Sequence, residues 1–361
     1  MLNISCKLLL VVILGSFASA IRIGSFNLHQ YGPKKSSNAT LTNLIAQIIN
    51  DFDLAAIQEI TDVSLKAPIV LHQALNGVSK LGPYTMTLSE RVGDSTSKEQ
   101  YIFFNREATS GLQLLSASVY DDSRYDYFER APSMATYKVK KPGKSGVKTF
   151  TIMSDDSEMF ITEYTMNVHL RPDDAYQESV NMRHVIEDFI IRHPEYFSQT
   201  TTSYAEAIIQ NVENPTSQNK PSLNTQHPIL IVGDFNADCT YISLAQQDQL
   251  RSIFFADFKW MINNQVKTNT RQTCTYDRFL INGNNFVNAI IARSNTTVDF
   301  GARFGMTLDD ALRISDHLPI KFDINCSTIE AGNCGLLFTL IFVHEGHIFR
   351  VLFLTFPFID F

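Results

Sequence analysis

No stretch of this 361-residue sequence is both apolar and long enough to cross a bilayer as a helix, which takes ~20 residues. The first apolar run, Leu8 to Phe17, is only roughly ten residues long. The last, "GLLFTLIFVHEGHIFRVLFLTFPFIDF", is cut by His344, Glu345, His347 and Arg350 into pieces of about nine residues. No long block of Lys or Arg exists either, and the net charge is −7, which excludes capture of a polyanion by bulk attraction. The five Cys show no CxxC spacing of the zinc type. His344-Glu345-Gly346-His347 lacks the spacing that would set two His on one helical face, so it is not a zinc-protease motif. No internal repeat is present.

What is present is a chain of 44% hydrophobic residues, enough for a sizeable core in one large or two ordinary domains. Lys7, the short apolar run and Ala18-Ser19-Ala20 have the layout of a secretory signal over residues 1–20, so the mature chain is expected to begin near Ile21 and to be secreted. Secretion favours disulfides, and Cys239, Cys274, Cys326 and Cys334 remain once Cys6 leaves with the signal. Sequons at Asn38, Asn295 and Asn325 are expected glycosylation sites in the same compartment. The most basic stretch, residues 138–148, reads first as a solvated hairpin turn.

Short β-rich runs such as "IRIGSFNL", "LAAIQEI", "MNVHL" and "PILIVGDF" alternate with helical patterns at Leu41 to Phe52, Ala67 to Val78 and Ala175 to His193. The mixture predicts an α/β or α+β sandwich. One domain is expected over 21–326, with a polar insertion at about 195–227. The apolar tail, 327–361, is either a processed glycolipid-anchor signal, given Ala331 and Gly332, or an atypical terminus; only the first would tie the chain to a membrane.

"PILIVGDFNADCTY" is a buried strand that ends in acids. Asp234 and Asn236 alternate by two and can point to one side of a sheet rim. Oxygen ligands of this kind suit Mg²⁺, which fills its other sites with water and substrate phosphate. Taken alone, an Asx-turn cap explains the motif equally well. The pattern recurs, however, at Asn27, Glu59, Glu99, His169, Asp277 and Asp316-His317, and so many polar strand ends are hard to explain as caps.

In order and spacing, "FN", "QE", "GDFNADC", "TYDR" and "SDHLP" resemble the endonuclease/exonuclease/phosphatase superfamily, and "SNATL", "GDFNADCTY" and Cys274 before "TYDR" resemble its secreted deoxyribonuclease I branch. The resemblance implies a four-layer sandwich, two packed mixed β-sheets flanked by helices, with the site at one rim. By resemblance, Glu59 is the principal metal-binding residue, and Asn27, Asp234, Asn236 and Asp316 bind metal or the scissile phosphate. His169 and His317 match the catalytic histidines, oriented by Glu99 and Asp277, and Arg130 matches a phosphate-contacting arginine. Cys239 to Cys274 matches the structural disulfide. Mg²⁺ or Mn²⁺ is the implied cofactor, with Ca²⁺ a candidate for stability, and the chain is expected to act as a monomer on DNA.

There are departures. Thr61 and Ser97 stand where the family has an arginine entering the minor groove and a tyrosine near the sugar. A second disulfide is missing near "YDDSRYDY", and Val266 replaces an acidic calcium ligand although Thr268 and Thr270 persist. The residues therefore point to a secreted, metal-dependent endodeoxyribonuclease that leaves 5′-phosphorylated products. A superfamily phosphodiesterase acting on a lipid or inositol phosphate is the alternative. A third reading, a degenerate nuclease that only binds DNA or actin, gives no chemical reason to keep Glu59, His169, Asp234 and His317 together.

Overall fold

The computed structural model of the protein describes residues 20–94, 98–139, 162–192, 228–325, 338–344 and 347–354. The signal segment up to Ser19, Ser97, most of the basic stretch, the polar insertion, Cys326 and Cys334 lie outside the described residues.

Among the described residues, twelve strands build two six-stranded sheets. The first has the order β11-β12-β1-β2-β4-β3 and the second β5-β6-β7-β8-β10-β9. Sheet one contains β1 (Ala20–Tyr31), β2 (Leu54–Ile60), β3 (Thr85–Leu88), β4 (Gln100–Asn105), β11 (Thr296–Thr297) and β12 (Ile320–Asn325). Sheet two contains β5 (Leu112–Val119), β6 (Ser133–Val139), β7 (Thr162–His169), β8 (Ile229–Asp234), β9 (Lys259–Trp260) and β10 (Asp277–Asn282). Both sheets are mixed: β1 runs parallel to β2 but antiparallel to β12, and β8 runs parallel to β7 but antiparallel to β10. The helices are α1 (Pro33–Ser36), α2 (Ala39–Ile49), α3 (Lys66–Val78), α4 (Glu107–Ser110), α5 (Ala175–Arg192), α6 (Leu244–Gln249), α7 (Asn284–Ala289), α8 (Phe300–Phe304) and α9 (Leu308–Ile314).

Three apolar layers give the expected four-layer sandwich. Ile45 of α2, Leu71 of α3 and Ile314 of α9 pack on Phe26, Ile57 and Phe104 of sheet one. Val185 and Phe189 of α5 pack on Met166, Val168 and Ile231 of sheet two. Between the sheets lie Ile23, Leu54, Ala56 and Phe322 from one side and Leu230, Val232 and Phe279 from the other. Strands covered on both faces read as continuous apolar runs, which is why "ILIV" of β8 shows no polar alternation.

Side chains alternate with period two, so each strand has one row facing the other sheet. On β1 that row is Ile21, Ile23, Ser25 and Asn27; on β2, Leu54, Ala56 and Gln58; on β8, Leu230, Val232 and Asp234. Every row turns from apolar to polar at the same end. That end is where the acids of "GDFN" emerge.

Gly233 shows how tightly the second sheet closes there. Its φ is +141°, and a Cβ built on it would lie 2.0 Å from the Val168 carbonyl oxygen. Val168 and His169 pair with Gly233 and Asp234, so the glycine sets the register that brings His169 beside Asp234. In the tail, β13 (Phe338–His344) and β14 (His347–Leu354) pair antiparallel as a separate two-stranded sheet, so the two apolar pieces pair with each other. Replacing Gly233 by Ala combines backbone strain with a main-chain clash and should cost at least about 3 kcal/mol, measured as a lower urea midpoint at unchanged m-value.

Candidate active site

Two β-bulges aim the first-sheet residues. The β1–β2 ladder shifts register between Asn27 and Tyr31, and the β2–β4 ladder shifts between Ile57 and Ile60. Strict alternation would turn Glu59 outward with Ile57. The bulge and the left-handed backbone at Glu59 (φ +61°) bring it instead to the rim. His29, Gln30 and Asn236 also have positive φ, so four of the eight left-handed non-glycine residues among the described residues lie at this rim. Side chains hold them: Asn27 Oδ1 accepts from the His29 amide at 2.8 Å, and Glu59 Oε2 accepts from the Gln30 amide at 2.8 Å.

A cleft of about 470 Å³ opens at this rim, lined by Glu59, His169, Asp234, Asn236, Asp316 and His317 among others. Asn27, Glu99 and Asp277 lie just behind it and are each less than a twentieth exposed. His169 Nδ1 is 2.7 Å from Glu99 Oε1, and His317 Nδ1 is 2.9 Å from Asp277 Oδ2. Each pair takes one member from each sheet. His169 ends β7, while Glu99 precedes β4; His317 precedes β12, while Asp277 begins β10. Asp234 stands between the imidazoles, its Oδ2 3.7 Å from His169 Nε2 and 3.3 Å from His317 Nε2.

Burial alone would lower the pKa of His169, but the charge and hydrogen bond of Glu99, with Glu59 and Asp234, raise it to about 9. His317 is likewise raised well above the ordinary histidine value, burial being outweighed by Asp277 and Asp234. Glu59 is held below the usual carboxylate range, because the two imidazoles and the Asn27 amide outweigh its burial.

Other expected residues take supporting positions. Asn27 is fully buried and donates from Nδ2 to Glu59 Oε1 (2.9 Å) and Asp234 Oδ2 (3.0 Å), so it orients two carboxylates without lining the cleft. Asn236 donates to Leu170 O at 2.9 Å. Arg130 lies behind Glu99, its Nε 3.1 Å from Glu99 Oε2, and its Nη1 has no hydrogen-bond partner among the described residues. Cys239 and Cys274 form the disulfide, closing the loop between β8 and β10. The "YDDSRYDY" turn, which lacks a crosslink, is closed by the Asp122 carboxylate, which accepts from the amides of Tyr127 (2.9 Å) and Phe128 (2.8 Å). Thr268 Oγ1 accepts from the Tyr276 amide (2.8 Å) and Thr270 Oγ1 donates to Ser315 O (3.0 Å), so both hydroxyls already have protein partners beside Val266.

Several contributors were given no role by the sequence, although Gln58 and Arg278 sit inside "QE" and "TYDR". Gln58 donates to Asn167 Oδ1 (2.6 Å) and Ser25 Oγ (3.0 Å), and Asn167 donates to Ile57 O (3.1 Å), a buried polar link between the sheets directly beneath the cleft. Arg278 of "TYDR" is fully buried and donates to Ile262 O (3.0 Å), Ala237 O (2.9 Å) and Asn264 Oδ1 (2.7 Å), bracing the loop that follows Asn236. The period-two rows held the signal for Gln58 and Asn167; nothing local marks the rest.

The donor set fits a divalent cation. Glu59 and Asp316 offer carboxylate oxygens to the cleft, and Asp316 Oδ1 accepts no hydrogen bond from any described residue, though His29 Nδ1 lies 3.5 Å away. Hard cations of the Mg²⁺ type take oxygen ligands of this sort. Asp234, Asp277 and His317 also cluster closely, yet Asp277 is already committed to the His317 ring, which makes that trio the less suitable holder.

The endonuclease/exonuclease/phosphatase family model matches residues 24–317, which span the whole rim. The chain belongs to this family. Within it, the chain is 30% identical over 311 residues to deoxyribonuclease-1 of Sus scrofa, covering 84% of this chain and 91% of that protein. It is 27% identical over 331 residues to deoxyribonuclease gamma of Mus musculus, covering 91% and 92%. A solved endonuclease/exonuclease/phosphatase family protein from Leptotrichia buccalis superposes with a TM-score of 0.48 at 12% identity, over 84% of this chain and 99% of its own.

One buried acid lies outside every family motif. Glu178 of α5 accepts from the amides of Glu129 and Arg171, both at 2.7 Å, so it ties the segment before Arg130 to the segment after His169. Burial raises its pKa from 4.5 to about 7 despite those amides and Arg130. The folded chain then binds this proton more tightly than the unfolded one, so stability falls as pH rises from about 4.5 through about 7 and levels above it, by up to about 3 kcal/mol. Urea unfolding at pH 5 and pH 8 should show a smaller pH-linked loss in Glu178→Gln than in the parent; equal losses would mean that Glu178 is ionised throughout.

Proposed function

We propose that this chain is a secreted, divalent-metal-dependent endonuclease that hydrolyses DNA phosphodiesters to 5′-phosphorylated oligonucleotides. The observation that carries the reading is the pair of His–carboxylate dyads facing each other across Asp234. Phosphodiester hydrolysis needs a water relieved of its proton, a proton for the leaving oxygen, and positive charge on the phosphoryl oxygens. Two buried dyads supply a proton acceptor and a proton donor on opposite sides of one small volume.

His169, raised to about 9, keeps its proton at neutral pH and is assigned the acid role, with Glu99 fixing the ring. His317 with Asp277 is assigned the base role. Mg²⁺ or Mn²⁺ held by Glu59 and Asp316 would neutralise phosphoryl charge and favour the neutral form of His317. Asn27 orients Glu59 and Asp234, Asn236 meets the phosphate, and Arg130, half-buried behind the cleft lining, sustains the charge balance around Glu99.

The deoxyribonuclease relatives support DNA as the substrate over a lipid or inositol phosphate. Secretion rests on the signal segment. No described helix is long and apolar enough to cross a membrane. Of the sequons, Asn38 is exposed at the start of α2 and is the proposed glycan acceptor, whereas Asn295 Nδ2 is bonded to Met261 O.

The purified chain should nick plasmid DNA with Mg²⁺, lose the activity in EDTA and regain it on metal replacement. His169→Ala should lower kcat by about a thousandfold. Plasmid nicking by that variant at the parent's rate would contradict the assignment, and turnover of sphingomyelin in place of DNA would move the chain to the lipid-phosphodiester reading.

A further inference from the structure

The cleft is lined by three carboxylates, Glu59, Asp234 and Asp316, yet the proposed substrate is a polyanion. One divalent cation offsets two of these three charges and leaves nothing for the phosphates next to the scissile one, and the chain as a whole is acidic. Some fixed positive group must therefore meet the strand. The cations around the rim are mostly committed elsewhere. Lys35 Nζ donates to Leu28 O (2.7 Å) and Ile314 O (2.8 Å), Arg130 pairs with Glu99, and Arg171 Nε lies 3.4 Å from Asp174.

Arg271 differs. Among the described residues it is the single Lys or Arg lining the cleft. It is exposed, and its guanidinium has no hydrogen bond or ion pair with any described residue. The backbone beneath it is nevertheless fixed. Asn269 Oδ1 accepts from the amides of Arg271 (2.9 Å) and Gln272 (2.8 Å), and the Thr270 amide donates to Asp316 O at 2.7 Å. Asn269 bridges to His317, and Cys274, three residues on, is held by the disulfide. A free cation on a rigid loop beside Asp316 and His317 is poorly explained as a solvated surface group. The same chain has Thr61, half-buried and uncharged, at the position where the resemblance implies an arginine.

We propose that Arg271 forms a subsite for a backbone phosphate of the nucleic-acid strand next to the scissile linkage. This inference rests on the phosphodiesterase reading of the same cleft. A guanidinium fork matches two non-bridging phosphate oxygens, and a phosphate contact adds grip without reading bases. The strand is thus held from the loop before β10.

Arg271→Ala and Arg271→Lys, assayed on an oligonucleotide in Mg²⁺ over a range of NaCl, test it. Arg271→Ala should raise KM several-fold with kcat within about twofold, and the plot of log kcat/KM against log salt should become shallower by about 0.7–0.9, the loss of one phosphate contact. Arg271→Lys should keep most of the parent's slope. Thermal melting of both variants should match the parent, since the side chain has no partner among the described residues. An active parent whose Arg271→Ala variant has the same KM and slope overturns the subsite alone. A parent that cleaves no DNA overturns the functional reading and the subsite with it.

Discussion

The site depends on a single buried amide that spans two sheets. Asn27 Nδ2 donates to Glu59 within sheet one and to Asp234 in sheet two. Neither dyad exists within one sheet, because Glu99 and His317 belong to the first and His169 and Asp277 to the second. The functional groups therefore meet only when the sheets are packed in one register. The apolar rows of Ile23, Leu54, Leu230 and Val232 supply the packing force, and the polar ends of the same rows supply the alignment.

Placing polar groups at the end of an apolar interface is costly unless each is paired. An unsatisfied buried donor or acceptor costs about 1–3 kcal/mol. The link from Ser25 through Gln58 and Asn167 to Ile57 O offsets most of that and excludes sliding of one sheet over the other. Half of the left-handed non-glycine backbone among the described residues lies where the chemistry is, at His29, Gln30, Glu59 and Asn236. The carboxylates that would hold a cation raise the pKa of both histidines, so cation and protons compete for the same negative field.

Much of this was legible in the sequence, for a physical reason: strands buried on both faces print as apolar runs, so an acid or His ending such a run stands out. The positions of Glu59, Asp234, His169 and His317 followed from that contrast, and helices near 41–52, 67–78 and 175–193 from their periodicity. Asn27 and Arg130 were legible as residues but not as geometry, since an amide that bridges two carboxylates looks like a ligand until its partners are known. The period-two rows mark Gln58 and Asn167 as polar positions, but no local pattern encodes their pairing 109 residues apart or the bonds of Glu178 to the Glu129 and Arg171 amides. Arg271 was silent because an exposed arginine in a polar loop is unremarked until a cleft is found beside it.

The central claim is that the first sheet holds the cation while dyads shared by the two sheets flank the phosphate. Crystals grown with Mn²⁺ and an uncleavable phosphorothioate dinucleotide, measured for anomalous scattering, address it directly. The account predicts the manganese peak on Glu59 and Asp316 and the phosphorus between His169 and His317. A peak seated on Asp234, Asp277 and His317, or a phosphate bound away from both imidazoles, would contradict it.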